Sequence, residues 1–237
     1  MGNAEAAFAA IDTQLSALRS ERPSALLAGR HSAKGARTVK QILSAARRVF
    51  ERDGHAKLTL RGVAAEAGVT VGNLNYYFSS KELLLHAMLK EALAEYADAH
   101  VQHIADGDGD PLETLLNIVA FYVGNARGAY PLFFQMWGYA GAEPEARELV
   151  SALYLSIGRL TSHLVAAANP NLDDQAVRQT VLQIFSLEEG VKLFIGLSDP
   201  NGDAMRNVED DVKMLTRRIV TGSTPFSRTL GDGTAPS

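Results

Sequence analysis

Two threonines eleven positions apart, Thr59 and Thr70, bracket the segment that most limits how this chain can fold. Thr is a good helix N-cap, because its side-chain oxygen accepts a backbone N–H that the first turn leaves without a partner. Thr59 precedes a run in which Leu60, Val63, Ala64 and Ala67 fall on one face, and Gly68 supplies the positive φ that ends a helix. Thr70 then caps a third, short helix running to Phe78. Two short helices joined by about three residues including a glycine make a helix-turn-helix.

The flanking sequence supplies the rest of the module. From Arg37 to Asp53, Val39, Ile42, Leu43, Ala46, Val49 and Phe50 keep the i, i+3, i+4, i+7 rhythm of a buried helix face, and Gly54 stops it. Ser79 followed by Glu82 reads as a capping box opening a long helix to about Ile104. The Gly/Asp run at 106–110 breaks that helix, and Pro111 suits the first turn of the next. Further helices are expected near 112–127, 131–139, 144–168, 173–197 and 204–220, and no stretch alternates as a strand does. The fold class is therefore all-α. Upstream, Phe8, Ile11, Leu15 and Leu18 mark a short amphipathic helix at 4–19, and 22–35 reads as a linker. The Gly/Pro/Ser/Thr-rich tail from Thr221 is expected to be disordered. The expected division is an N-terminal extension at 1–30, a helix-turn-helix domain at 31–90, a helical body at 91–221 and a flexible tail at 222–237.

Charge and composition narrow the function classes. The net charge of −4 is unevenly spread: residues 31–90 carry ten Lys/Arg against four Asp/Glu, residues 91–237 ten against twenty, and the first thirty residues three of each. A basic module on an acidic body is the distribution that phosphate binding by one end requires. The chain has no cysteine, which removes disulfides, thiolate nucleophiles and cysteine-ligated zinc. No apolar run approaches the roughly 20 residues of a bilayer span, and no signal peptide is evident, so a cytoplasmic protein with no membrane partner is expected. His100 and His103 stand three apart on a helix, and Asp106, Asp108 and Asp110 imitate the start of a calcium loop. Pro111 and Asn117 stand where that loop needs Gly and Glu, so neither metal nor cofactor is expected. No nucleophile elbow or P-loop is present, and the expectation is a protein that is not an enzyme.

The segment Val69-Thr70-Val71-Gly72-Asn73-Leu74-Asn75-Tyr76-Tyr77-Phe78 carries the functional reading. In a helix from Thr70, Leu74 and Phe78 face inward while Val71, Gly72, Asn73, Asn75, Tyr76 and Tyr77 face out. Asn can pair with adenine edges, Val71 can touch a thymine methyl, and phenols can reach phosphates. Lys81 strengthens the case. A cation in the first turn of a helix opposes the macrodipole at a cost of roughly 0.3–1 kcal/mol, unless an anion lies there to meet it. Arg37, Lys40, Arg47 and Arg61 can add backbone contacts. The plainer reading is a small helical subdomain with solvated polar residues.

The run Leu58-Thr59-Leu60-Arg61-Gly62-Val63-Ala64-Ala65-Glu66-Ala67-Gly68-Val69, followed by Gly72-Asn73-Leu74-Asn75-Tyr76-Tyr77-Phe78-Ser79-Ser80-Lys81-Glu82-Leu83, resembles the DNA-binding domain of the TetR family over about residues 36–90. The resemblance implies an all-helical homodimer whose third module helix reads operator DNA and whose remaining helices bind an effector and dimerise. Its DNA-facing residues would be Arg37, Thr59, Arg61, Thr70, Val71, Gly72, Asn73, Asn75, Tyr76, Tyr77 and Lys81, with Tyr77 and Lys81 at positions that often contact phosphate. Many members carry Tyr in place of Asn75 and His in place of Tyr77, so the operator sequence does not carry over.

In the body, eight of the seventeen aromatic residues fall between Phe121 and Tyr154. Phe121, Tyr122, Phe133, Phe134, Trp137 and Tyr154 can line an apolar pocket with a few polar donors, though core packing alone also explains such a cluster. The resemblance favours a pocket for a small, largely apolar effector. It also implies a four-helix dimer interface from the last two long helices, with Val181, Leu182, Phe185, Glu189, Val212, Leu215 and Ile219 as candidates. A monomer with a thick core is the alternative. Glu188 and Glu189 form a possible carboxylate pair that Lys192 is near enough to neutralise in part.

Overall fold

The computed structural model describes residues 3–30, 33–106 and 108–222, and among them every regular element is a helix. The expected disorder of the tail lies outside the described residues beyond Gly222. In chain order the elements are α1 (Asn3–Ser20), α2 (Pro23–Arg30), α3 (Ala33–Lys57), α4 (Leu60–Glu66), α5 (Val71–Tyr77), α6 (Lys81–Asp106), α7 (Pro111–Ala142), α8 (Pro144–Ala168), α9 (Asp174–Leu197) and α10 (Val208–Thr221), with a single 3-10 turn at Asp203–Met205.

The helix starts follow from their caps. The Thr59 hydroxyl accepts from the Gly62 N–H at 3.0 Å, and Thr70 does the same for Asn73 at 3.1 Å. Gly68, at φ 65°, makes the turn between α4 and α5, and the Gln41 amide clips that turn to α3 through the Ala67 carbonyl. Gly54 breaks the regular course of α3 at φ 74°, ψ 172°. At α6 the cap is Ser80 rather than Ser79: its hydroxyl accepts from the Leu83 N–H, and the Glu82 carboxyl is held below its usual range first by a backbone N–H at the helix start and then by its bond to Ser80. Asp110 accepts from the N–H groups of Leu112 and Glu113, which gives this aspartate a structural role at the start of α7.

Three sequence expectations need correction. The stretch read as a linker is largely α2, which packs on α3 and α6, while α1 buries Ile11 and Leu15 against α6 and α8. Glu91, buried in α6, holds this extension by accepting from both the backbone N–H and the hydroxyl of Ser24, at 3.0 and 2.7 Å. The helices expected at 112–127 and 131–139 are one rod, α7, which continues through Pro131. An interior proline costs a helix about 3 kcal/mol. Burial of Leu132, Phe133, Met136 and Tyr139 beyond it contributes about 1.5–3 kcal/mol for each large side chain and outweighs that cost. Finally, α8 is long and apolar enough by composition to cross a membrane, contrary to the sequence expectation, but it is packed between α1, α7 and α9.

One continuous core gathers α3, α4, α5 and the start of α6 around Phe50, Leu58, Leu74, Leu84, Leu85 and Met88 and runs on to where α6, α7, α8 and α9 meet. The packing of α7 on α3 joins the two regions. Arg127 ties α7 to the first turn of α10 and to the chain before it, reaching Glu209 at 2.7 Å and the carbonyls of Pro200 and Met205.

Candidate nucleic-acid interface and effector cavity

Leu74 and Phe78 anchor α5 inward, with almost no exposed surface. That fixes the rotation of this two-turn helix and turns Gly72, Asn73 and Asn75 to solvent. Tyr76 is 69% exposed and Val71 38%, unusually high for an aromatic and a branched aliphatic side chain. Tyr77 is half-buried and meets the Tyr76 ring edge to face at 5.0 Å. Arg37, Thr59, Arg61 and Thr70 are exposed, and Lys81 is the half-buried first residue of α6. Arg47 is different: it pairs with Glu51 at 2.8 Å and Glu95 at 3.2 Å, so its charge is directed along α3 and toward α6. Arg48 and Arg52 both grip Glu66, Arg48 being the stronger influence holding that carboxyl below its usual range, and so brace α3 against α4.

A second site lies in the body. A cavity of about 60 Å³ is walled by Leu89 and Tyr96 of α6, Tyr122, Phe133 and Met136 of α7, Leu153 and Tyr154 of α8, and Glu189 and Lys192 of α9. Of the six aromatic candidates, Tyr122, Phe133 and Tyr154 line it. Trp137 stands behind Tyr154 and donates its indole N–H to the Tyr154 hydroxyl at 2.9 Å. Phe121 faces Tyr96 and His103 instead, and Phe134 packs beside Tyr130 and Gly196, where a Cβ would clash with its ring. The reason is helical phase: neighbours in sequence on α7 lie about 100° apart, so Phe121 and Phe134 cannot share the face of Tyr122 and Phe133.

Polar groups give the cavity its character. Lys192 Nζ donates to Glu189 Oε1 at 2.9 Å and lies 5.0 Å from the centroids of both the Tyr122 and Phe133 rings. Glu188 is buried beside this pair, and burial pushes its carboxyl up to about 7 despite the pull of Lys192. Burial likewise pushes the Tyr96 phenol up to about 12. Lys192 and Tyr96 were absent from the sequence candidates. The signal was present, since Glu188 and Lys192 occupy the same buried stripe of α9 as Thr180, Ile184 and Ile195.

The dimer candidates separate into three groups. Leu182, 66% exposed, and Leu215, 38%, lie on an apolar face with Leu193, Phe194 and Leu197, while Phe185 and Ile219 are half-buried. Val181 and Val212 belong to the protomer's own core, and Glu189 points into the cavity. The correction has the same helical cause: the stripe that α9 shares with the body cannot also face outward.

A capped two-helix turn with an exposed polar helix, set on a separate helical body, defines a helix-turn-helix DNA-binding regulator. Residues 42–88 match the family described as bacterial regulatory proteins, tetR family. The HTH-type transcriptional regulator BetI of Paraburkholderia phytofirmans is 25% identical over 181 residues, covering 74% of this chain and 91% of its own. A transcriptional regulator from Saccharomonospora viridis in complex with choline superposes with a TM-score of 0.63 at 18% identity, over 78% of this chain and 96% of that one. FadR from Bacillus subtilis in complex with stearoyl-CoA gives 0.63 at 19% identity, over 77% and 98%. Residues 42–88 thus carry the DNA-binding module described for the tetR family, and most of the chain is similar to HTH-type transcriptional regulators.

Proposed function

We propose that the protein is a homodimeric repressor that holds a near-palindromic operator and is released from it by a small, largely apolar effector. Single-chain geometry supports the DNA-facing half of this reading. The exposed side of α5, bearing Val71, Asn73, Asn75 and Tyr76, is what a major groove would meet, and Lys81, Arg37 and Arg61 are the cations that would hold the phosphates. The exposed apolar side chains of α9 and α10 support pairing of two copies, because contiguous apolar surface on a folded chain marks an interaction site. Pairing would set two α5 helices on one side of the duplex, about one helical turn apart or somewhat more.

The aromatic cavity supports an effector site. At about 60 Å³ it is well below the roughly 300–1,000 Å³ of ordinary ligand sites, so an effector would have to part α6, α7 and α8 to enter. Because α7 also packs on α3, widening the cavity would shift the DNA-binding module, a coupling typically worth about 1–3 kcal/mol. The related structures hold ligands as unlike as choline and stearoyl-CoA, so they favour an effector without selecting one. The domain division at residues 30, 90 and 221 is part of the same reading.

The observation that carries the proposal is the inward anchoring of Leu74 and Phe78, which leaves the polar side of α5 unpacked. Footprinting on the DNA upstream of the protein's own gene tests it. Protection of a discrete inverted repeat is expected, and uniform or absent protection would refute the operator reading.

A further inference from the structure

Helices α1 and α2 precede residues 42–88, and their packing reaches across the rest of the fold. Helix α1 packs on both α6 and α8, which make little direct contact with each other, while α2 packs on α3 and α6. The seam between α6 and α8 is therefore closed by α1 rather than by the two helices themselves. Beneath α1 lies a groove of about 310 Å³, walled by Gln14, Ala17 and Leu18 of α1, Leu93 of α6, and Leu149 and Leu153 of α8. Leu93 and Leu153 also line the aromatic cavity. Two half-buried leucines, one from each helix, thus form the partition between groove and cavity.

The other walls of the cavity are tied more firmly. Between α6 and α7, Tyr96 packs on Phe121 and Tyr122, and its hydroxyl accepts from the Asn125 amide at 2.8 Å. Between α7 and α8 the Trp137 indole holds Tyr154, whose ring in turn meets Phe185 of α9 edge to face. Leucine side chains form no hydrogen bonds, and a side chain changes rotamer far faster than packed helices shift. Helix α1 is pinned on both sides of this partition. The Gln14 amide donates to the Ser156 carbonyl and, at 3.3 Å, to the Ser156 hydroxyl on α8, while Arg19 pairs with Asp98 of α6 at 2.8 Å. Ile11 and Leu15 are buried beneath it.

We propose that α1 is a strap across the entrance of the effector cavity: a ligand enters between α6 and α8 by displacing Leu93 and Leu153, and the seating of α1 sets how readily that seam opens. This rests on the effector-site reading above and assigns that site its route of access. Because α2 continues the strap onto α3, its displacement also reaches the DNA-binding module. The competing route runs past Tyr96 into a hollow of about 200 Å³ that Arg47, Phe121 and Asn125 also line, and it requires the Asn125 bond to break.

The chain has no cysteine, so one introduced thiol reports access to the cavity. Met136→Cys places it on the buried cavity wall, and Val165→Cys places a control in the core of α8 away from the cavity. The full-length proteins are labelled with N-phenylmaleimide under native conditions. Gln14→Ala, which releases the pin on α8, and Leu93→Ala, which thins the partition, are each expected to speed labelling of the Met136→Cys thiol by about threefold to tenfold, with the Val165→Cys rate unchanged. Ala17→Leu, at an exposed position where the larger side chain fills the groove, should slow it by about threefold, and Asn125→Ala should leave it unaltered. Wild-type rates in Gln14→Ala, Leu93→Ala and Ala17→Leu overturn the strap alone. Acceleration by Asn125→Ala only, or equal acceleration of both thiols, does the same. The labelled Met136→Cys protein is then assayed on the upstream DNA, where affinity is expected to fall by about fivefold or more. Unchanged affinity overturns the effector site itself, while the operator reading is judged separately by footprinting.

Discussion

Tyr139 of α7 meets Phe50 of α3 edge to face, with ring centroids 6.1 Å apart and planes at 76°. Three residues earlier on the same helix, Met136 lines the body cavity, and Phe133 lies one turn further back. One continuous rod therefore touches both the core of the DNA-binding module and the site proposed for the effector. Phe133, Met136 and Tyr139 all follow Pro131, so a separate helix at 131–139 would also carry them, and the continuity of α7 through Pro131 adds Tyr122 to the same element.

The first prediction concerns this contact. Tyr139 is buried, so Tyr139→Ala is expected to lower stability by about 3–5 kcal/mol, with Tyr139→Phe costing a fraction of that because it keeps the ring. Urea denaturation followed by far-ultraviolet circular dichroism measures both. Equal losses would mean that the hydroxyl, not the ring packing, holds the junction.

Glu188 gives a pH dependence with a defined sign. Its folded carboxyl is raised to about 7 from an ordinary value of 4.5, so the native state binds this proton more tightly than the unfolded chain does. Stability should therefore fall as pH rises from about 4.5 to about 7 and level off above, by on the order of 3 kcal/mol for this group. Glu188→Gln should flatten that window. A wild-type protein whose stability is constant or rises across it would show that another group dominates.

The outer face of α9 should govern assembly. Leu182 is 66% exposed, Phe194 59% and Leu197 67%, and a charge among them would be desolvated in any dimer. Leu182→Glu and Phe194→Asp are each expected to shift the protein toward monomer in light scattering after size exclusion, with little change in monomer circular dichroism. Unchanged dimers in both variants would move the interface elsewhere.

The N-terminal extension is held at Glu91. Removing the Ser24 hydroxyl leaves this buried carboxylate with fewer donors, so Ser24→Ala should cost about 1–2 kcal/mol. Faster hydrogen exchange across α1 and α2 would accompany that loss. Exchange that accelerates only in α3 would indicate that the extension does not depend on this contact.

The legible parts of the chain were those set by local rules. The caps at Thr59 and Thr70 and the positive φ of Gly54 and Gly68 follow from side-chain hydrogen bonding and backbone sterics, so the helix-turn-helix and the inward faces of Leu74 and Phe78 could be read directly. Features decided by tertiary burial could not. Pro23 and Gly29 suggested a linker, but contact with α3 and α6 makes that stretch helical. The aromatic cluster pointed to the right helix, yet separating Tyr122 from Phe121 needs the rotation of α7 against its neighbours. Glu189 was placed among the dimer candidates that the resemblance implies for the last two long helices, whereas the structure sets it at the cavity wall, paired with Lys192.

The central claim is that α5 and the start of α6 grip DNA, and fluorescence anisotropy with the upstream DNA at two salt concentrations tests it most directly. Affinity is expected to fall steeply with salt, by a slope of about 0.9 log units per phosphate neutralised. Lys81→Ala should reduce that slope by about one contact on any sequence, while Asn75→Ala should alter the preferred sequence and leave the slope alone. Binding that ignores salt, or two variants indistinguishable from the wild type, would contradict the claim.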